Sequence, residues 1–127
     1  MIVETMGIQP EHRVCLRGIT NPVFTAMVVS RVDYPPSKAA SGRYDVIVHQ
    51  VDALQDLDDL AKLSRHLEPS GGLWVLHPAG DDAQPSTDAV RAAAMMAGLV
   101  PNKTSDYSVT HVATRFAPRV RVIRGTI

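Results

Sequence analysis

The sequence predicts a three-layer α/β/α sandwich, with a mostly parallel sheet that ends in an antiparallel hairpin. Three observations predict it. Residues 44–49 (YDVIVH) form a short apolar run rich in β-branched residues, as a strand buried on both faces does. A helical pattern follows, and then a second apolar run at 73–77 (LWVLH). A helix between two buried strands makes them parallel, because only a crossover of that length returns the chain to the same end of the sheet. Near the C-terminus, 99–104 and 109–116 read as two strands joined through Asp106, Tyr107 and Ser108, which is a hairpin.

Each element has its own justification. Within residues 1–10, Ile2, Val3, Met6 and Ile8 suit a short helix or a pad on the sheet edge. Residues 13–19 (RVCLRGI) read as the first strand, with Arg17 awkward in it. Thr20 or Asn21 is placed to cap a helix that has Pro22 at its first position and Phe24, Met27, Val28 and Arg31 on one side. Val28 and Val29 leave a strand over 27–32 as the other reading, and the helix is preferred. Residues 34–43 hold Pro35, Pro36, Ser37 and Gly42 and read as a loop. Leu54, Leu57, Leu60, Ala61, Ser64 and Leu67 recur at helical spacing opposite Gln55, Asp56, Asp58, Asp59, Lys62 and Arg65. Asp52 is the expected cap of that helix, and residues 69–72 (PSGG) are expected to end it and turn the chain. After a polar loop, Ser86 or Thr87 caps a helix with Val90, Ala93, Ala94 and Ala97 as its buried stripe and Gly98 just past its end. Beyond Pro118, residues 119–124 (RVRVIR) alternate like an edge strand guarded by arginines.

Composition narrows the function classes. The chain of 127 residues suits one domain spanning 1–127. Its 13 basic and 13 acidic residues cancel, which argues against non-specific nucleic-acid binding. No apolar run is long enough for a membrane span, and no secretory signal pattern opens the chain. The single cysteine, Cys15, has no disulfide partner, so a cytoplasmic setting is expected.

The run YDVIV, the helix after it and LEPSGGLWVLHP resemble the later half of class I S-adenosylmethionine methyltransferases, and AGLVPN before the hairpin resembles their C-terminal portion. The chain resembles more closely a small bacterial family of Rossmann-like proteins, a domain of unknown function, at MGIQPEHRVCL (6–16), GGLWVLHP (71–78) and AGLVPNK (97–103). It departs from that family at Ala79, where a lysine is usual, and at Thr110-His111, where a Thr-Trp pair is usual. The resemblance implies a trimmed, methyltransferase-like Rossmann fold and carries no particular activity with it.

A nucleotide-type cofactor site needs glycines after the first strand and a carboxylate at the end of the second. The chain offers only Gly18 at the first place and only Asp33, in a loop, for the second. No cofactor is therefore expected, with S-adenosylmethionine as the alternative. The domain is expected to be a binding or interaction module rather than an enzyme, and a homodimer through its C-terminal strand. The alternative is a reduced S-adenosylmethionine-dependent methyltransferase-like enzyme holding a nucleoside-type ligand at the carboxyl ends of the strands. Any crevice there would be lined by Gly18, Thr20, Asn21, His49, Gln50, Asp52 and His77. His49 and His77 end neighbouring strands and could act as acid and base, but no metal-ligand spacing supports a metal, and none is expected. Free amides facing a cavity at 18–22 would favour a ligand, whereas simple capping and a filled crevice would favour the module. Arg115, Arg119, Arg121 and Arg124 form the local basic cluster. They are read as edge-strand guards, with an acidic partner or a phosphate as their other use.

Overall fold

The structure is a computed structural model, and it describes residues 2–119. In chain order it holds α1 (Ile2–Thr5), β1 (Val14–Arg17), α2 (Pro22–Arg31) and β2 (Tyr44–Gln50). A 3-10 turn (Leu54–Asp59) then leads into α3 (Leu60–Ser64), followed by β3 (Leu67–Pro78), α4 (Thr87–Met96), β4 (Leu99–Asp106) and β5 (His111–Pro118). The five strands form one sheet in the order β1-β2-β3-β5-β4. The first three pair in parallel, and β5 runs antiparallel to both β3 and β4. This is the expected α/β/α sandwich with a terminal hairpin.

Side-chain alternation splits the core in two. Val46, Val48, Trp74 and Leu76 face α1 and α2, where Val3, Met6, Phe24 and Val28 are buried. Ile47, Val51, Leu73 and Val75 face the other way, onto Leu60 and Leu63 of α3 and Val90 and Ala94 of α4. Strands buried on both faces carry no polar alternation, which is why they read as continuous apolar runs.

The helix caps form as expected. Asn21 Oδ1 accepts the amides of Val23 (2.9 Å) and Phe24 (3.2 Å), and Pro22 opens α2. Ser86 Oγ accepts the Ala89 amide at 3.1 Å to cap α4, and Gly98 takes φ +82° just past its end. The helix reading of 22–31 holds over the strand alternative.

Four expectations are corrected. The single helix over 54–67 is a 3-10 turn and a five-residue helix, and Leu67 already belongs to β3. Asp52 is not its cap. Ala53 stands at the N-cap with no side-chain cap bond, and the Asp56 carboxylate, three residues on, reaches back to accept the amides of Asp52 (2.9 Å) and Ala53 (3.0 Å), which closes the tight turn. Residues 69–72 do not turn the chain away, because they lie inside β3. The pairing jumps there from Tyr44↔Leu67 to Val46↔Gly72, so the segment between bulges opposite Asp45. Gly71 sits where a Cβ would lie 2.9 Å from the Asp45 carbonyl oxygen, a closeness only glycine permits. Finally, Arg115 guards no edge, since β5 lies between β3 and β4. Of the segment 119–124, and of the homodimer surface expected on it, all but Arg119 lies outside the described residues.

Candidate functional site

A feature with no sequence signature governs the site. Ser37, in the loop between α2 and β2, forms a parallel bridge to Cys15 on the outer edge of β1. Its carbonyl accepts the Leu16 amide at 2.8 Å and its amide donates to the Val14 carbonyl at 2.9 Å. The chain therefore leaves β1, crosses the α2 face and returns as a one-residue strand on the far side of β1. After β2 it leaves across the opposite face, through α3, toward β3. The neighbouring parallel strands β1 and β2 thus send their following loops to opposite faces. That is a topological switch point, where open α/β sheets form a ligand crevice beyond the carboxyl ends of the strands.

Gly18 stands at this point with φ +68°, and a Cβ there would lie 3.7 Å from the Gln50 carbonyl oxygen. Beside it a cavity of about 410 Å³ opens between β1, α2 and the bridging loop. Its walls include Leu16, Ile19, Thr25, Val29, Pro36 and Lys38. It is largely apolar and falls in the size range of small-molecule sites.

A polar chain closes the crevice on the side of the hairpin. The Thr20 amide donates to Gln50 Oε1 at 3.2 Å, and Gln50 Nε2 donates to Thr20 Oγ1 (3.1 Å) and to Asp52 Oδ2 (2.7 Å). His111 Nε2 donates to Asp52 Oδ1 at 2.6 Å, and Thr110 Oγ1 meets His111 Nδ1 at 2.8 Å. The sequence reading missed His111 because it belongs to a strand that runs the other way. Its position at the start of β5, paired with Pro78, brings it to the carboxyl end of the parallel strands.

The seven expected site residues therefore divide. Gly18, Thr20, Gln50 and Asp52 come together at the switch point. Asn21 is spent on capping α2. His49 and His77 face the α3/α4 layer, whereas Gln50 faces α2. His49 Nε2 donates to the Asp56 carbonyl at 2.9 Å, and His77 Nε2 meets Thr114 Oγ1 at 2.9 Å. Both rings are buried, and among the described residues their Nδ1 atoms have no hydrogen-bond partner. Burial lowers both pKa values, against the opposing pull of the Asp56 carbonyl at His49. Among the described residues no group of three or more His, Cys, Asp or Glu could hold a metal ion. Asp33, the candidate ribose carboxylate, is exposed four positions before the bridging residue, with its amide on the Pro10 carbonyl. Asp33 does not line the cavity beside Gly18, whereas Lys38 does.

The capping by Asn21 and the Thr20–Gln50 bridge resemble a filled crevice, but the cavity next to Gly18 is open. The fold is shared with known enzymes. A ribosomal protein L11 methylase from Lactobacillus delbrueckii superposes with a TM-score of 0.69 at 12% identity, over 93% of this chain and 75% of that one. A TehB-like SAM-dependent methyltransferase from Corynebacterium glutamicum gives 0.61 at 12% identity, over 93% and 85%. The 1,6-didemethyltoxoflavin-N1-methyltransferase of Burkholderia thailandensis, solved with S-adenosylhomocysteine bound, gives 0.65 at 12% identity, over 93% and 75%. No family model and no curated protein matches the chain. These likenesses establish a trimmed, methyltransferase-like Rossmann fold. They also overturn the expectation of a fold without a cofactor, since one structure of this fold is described as SAM-dependent and another holds S-adenosylhomocysteine.

Proposed function

We propose that this chain is a reduced, S-adenosylmethionine-dependent methyltransferase-like enzyme that holds its adenosyl ligand at the switch point between β1 and β2. The observation that carries the reading is the open 410 Å³ cavity beside Gly18. It lies at the carboxyl end of β1, on a fold that the neighbours use for adenosyl ligands. Positive φ at Gly18 and the missing side chain let a ligand approach the backbone of the first loop. The apolar wall of Leu16, Ile19, Val29 and Pro36 suits a flat aromatic base, and Ser37 and Lys38 bring polar groups to its edge. Bound S-adenosylmethionine would supply an electrophilic methyl group. The chain's own part is to fix the ligand and to hold a proton acceptor near it. Asp52, half-exposed and bonded to both Gln50 and His111, is the carboxylate at the crevice able to do so. No interaction-module role draws support from the fold or its neighbours.

Calorimetric titration with S-adenosylmethionine and S-adenosylhomocysteine, with NAD as the control, tests the reading. Saturable binding of the adenosyl pair alone is expected. Val29 is 53% exposed, so Val29→Trp can fold while filling the cavity. It is expected to weaken adenosyl binding at least tenfold, about 1.4 kcal/mol. Equal binding by Val29→Trp and wild type would place the ligand elsewhere.

A further inference from the structure

At the opposite end of the sheet, the amino ends of β2 and β3, lies a second cavity of about 310 Å³, lined mostly by polar surface. Arg115 reaches into it from β5. Its guanidinium lies against Gly72, so close that a Cβ there would stand 2.4 Å from Nε. Among the described residues it has neither a carboxylate partner nor a hydrogen bond. Burial pushes its pKa down, as expected for a cation partly out of water with nothing to offset the loss.

Two irregularities in the sheet converge on this cavity. On β4 the pairing steps from Pro101↔Phe116 to Lys103↔Arg115, so Asn102 is an extra residue, and Asn102 and Lys103 both line the cavity. On β3 the bulge opposite Asp45 brings Ser70 there. Bulges of this kind re-aim side chains, and they are found beside binding sites. Lys103 Nζ donates to the Thr5 carbonyl at 2.8 Å, which leaves the ammonium two further donors. His12 accepts the Gln9 amide on Nδ1 at 3.0 Å, which leaves its Nε2 a donor. Asp45 also lines the cavity, with its Oδ2 held by the Arg13 amide at 2.8 Å. The balance of Arg115 and Lys103 against Asp45 is one positive charge.

We propose that this cavity is a second ligand site, which binds the phosphate group of a small phosphorylated molecule with Arg115 as the anchor. Donors converge from three strands: the guanidinium fork from β5, the ammonium and amide from β4 and the hydroxyl from β3. That spread suits a tetrahedral oxyanion better than a planar carboxylate. The volume exceeds a bare phosphate and leaves room for the group that carries it. The site faces the other end of the sheet from Gly18, so it stands or falls independently of the adenosyl reading.

The test is a titration followed by amide NMR at Gly71, Gly72, Asn102 and Lys103, at constant ionic strength. The probes are inorganic phosphate, ribose 5-phosphate and acetate. Saturable shifts with phosphate and not with acetate are expected. Tighter binding of ribose 5-phosphate assigns a phosphomonoester as the ligand, and equal binding assigns free phosphate. Arg115→Gln should weaken the phosphate response at least tenfold. Gly72→Ala, which displaces the guanidinium while keeping it, should weaken it too, and it guards against loss of folding in the first variant. Linear, unsaturable shifts, acetate binding as well as phosphate, or unchanged affinity in folded Arg115→Gln would each overturn the proposal.

Discussion

His49 and His77 show what burial does to a single residue here. Among the described residues, each imidazole keeps one hydrogen bond and leaves Nδ1 unpaired in the core. The neutral ring is therefore favoured, and both folded-state pKa values fall below the ordinary histidine value, chiefly through burial. As pH falls, the unfolded chain takes up these protons first, near about 6.5. Stability is then lost from that pH downward, through the lowered folded values, and is fully present above it. Denaturant unfolding at pH 7.5 and 5.5 should show this loss in the wild type and a smaller one in His49→Gln, whose carboxylates are unchanged. Equal losses in the two proteins would contradict the account. The sequence shows that both histidines end neighbouring strands. It does not show which face they take, because both faces of β2 and β3 are apolar and the period of two has no polar phase to mark it. Gln50 was legible in the crevice for the same positional reason, and its one-residue offset from His49 sets it on the α2 face.

Among the elements, β3 departs most from its sequence pattern. Pro, Ser and two glycines in a row carry every mark of a turn, yet the chain continues as a strand with a bulge. The glycines serve close approach rather than reversal. At Gly71 an added Cβ would meet three backbone oxygens, those of Asp45, Tyr44 and Glu68, at 2.9–3.1 Å. None of them can swing away. Gly71→Ala should therefore cost about 1–3 kcal/mol, the usual range for overpacking, read as a lower urea midpoint at unchanged slope. Loss of less than a few tenths would show that the bulge can relax. The helix after β2 was overextended for a related reason. Leu54 to Leu67 keeps a helical period, but the Asp56 carboxylate draws its first turn tight, and Leu67 is taken by the sheet. Caps with their own side-chain chemistry, Asn21 and Ser86, were legible because the capping bond is local.

At the scale of the whole molecule, the parallel β2–α3–β3 unit and the terminal hairpin follow from pattern alone, and the fold class with them. The switch point does not. It rests on one bridging residue, Ser37, whose two backbone bonds leave no mark in composition or period. Without it, Gly18 looks like a lone glycine after a short strand. With it, Gly18 sits in the crevice of a methyltransferase-like fold, beside an open cavity and a polar chain that runs from Thr20 through the ends of β2 and β5 to Thr110. The central claim is that an adenosyl ligand occupies this crevice. The direct measurement is amide NMR of the protein titrated with S-adenosylhomocysteine. The account predicts saturable shifts concentrated at Gly18–Asn21, Ser37–Lys38 and Gln50–Asp52, with Gly71, Gly72 and Lys103 unmoved. No saturable shift, or shifts centred on the amino ends of the strands, would contradict it.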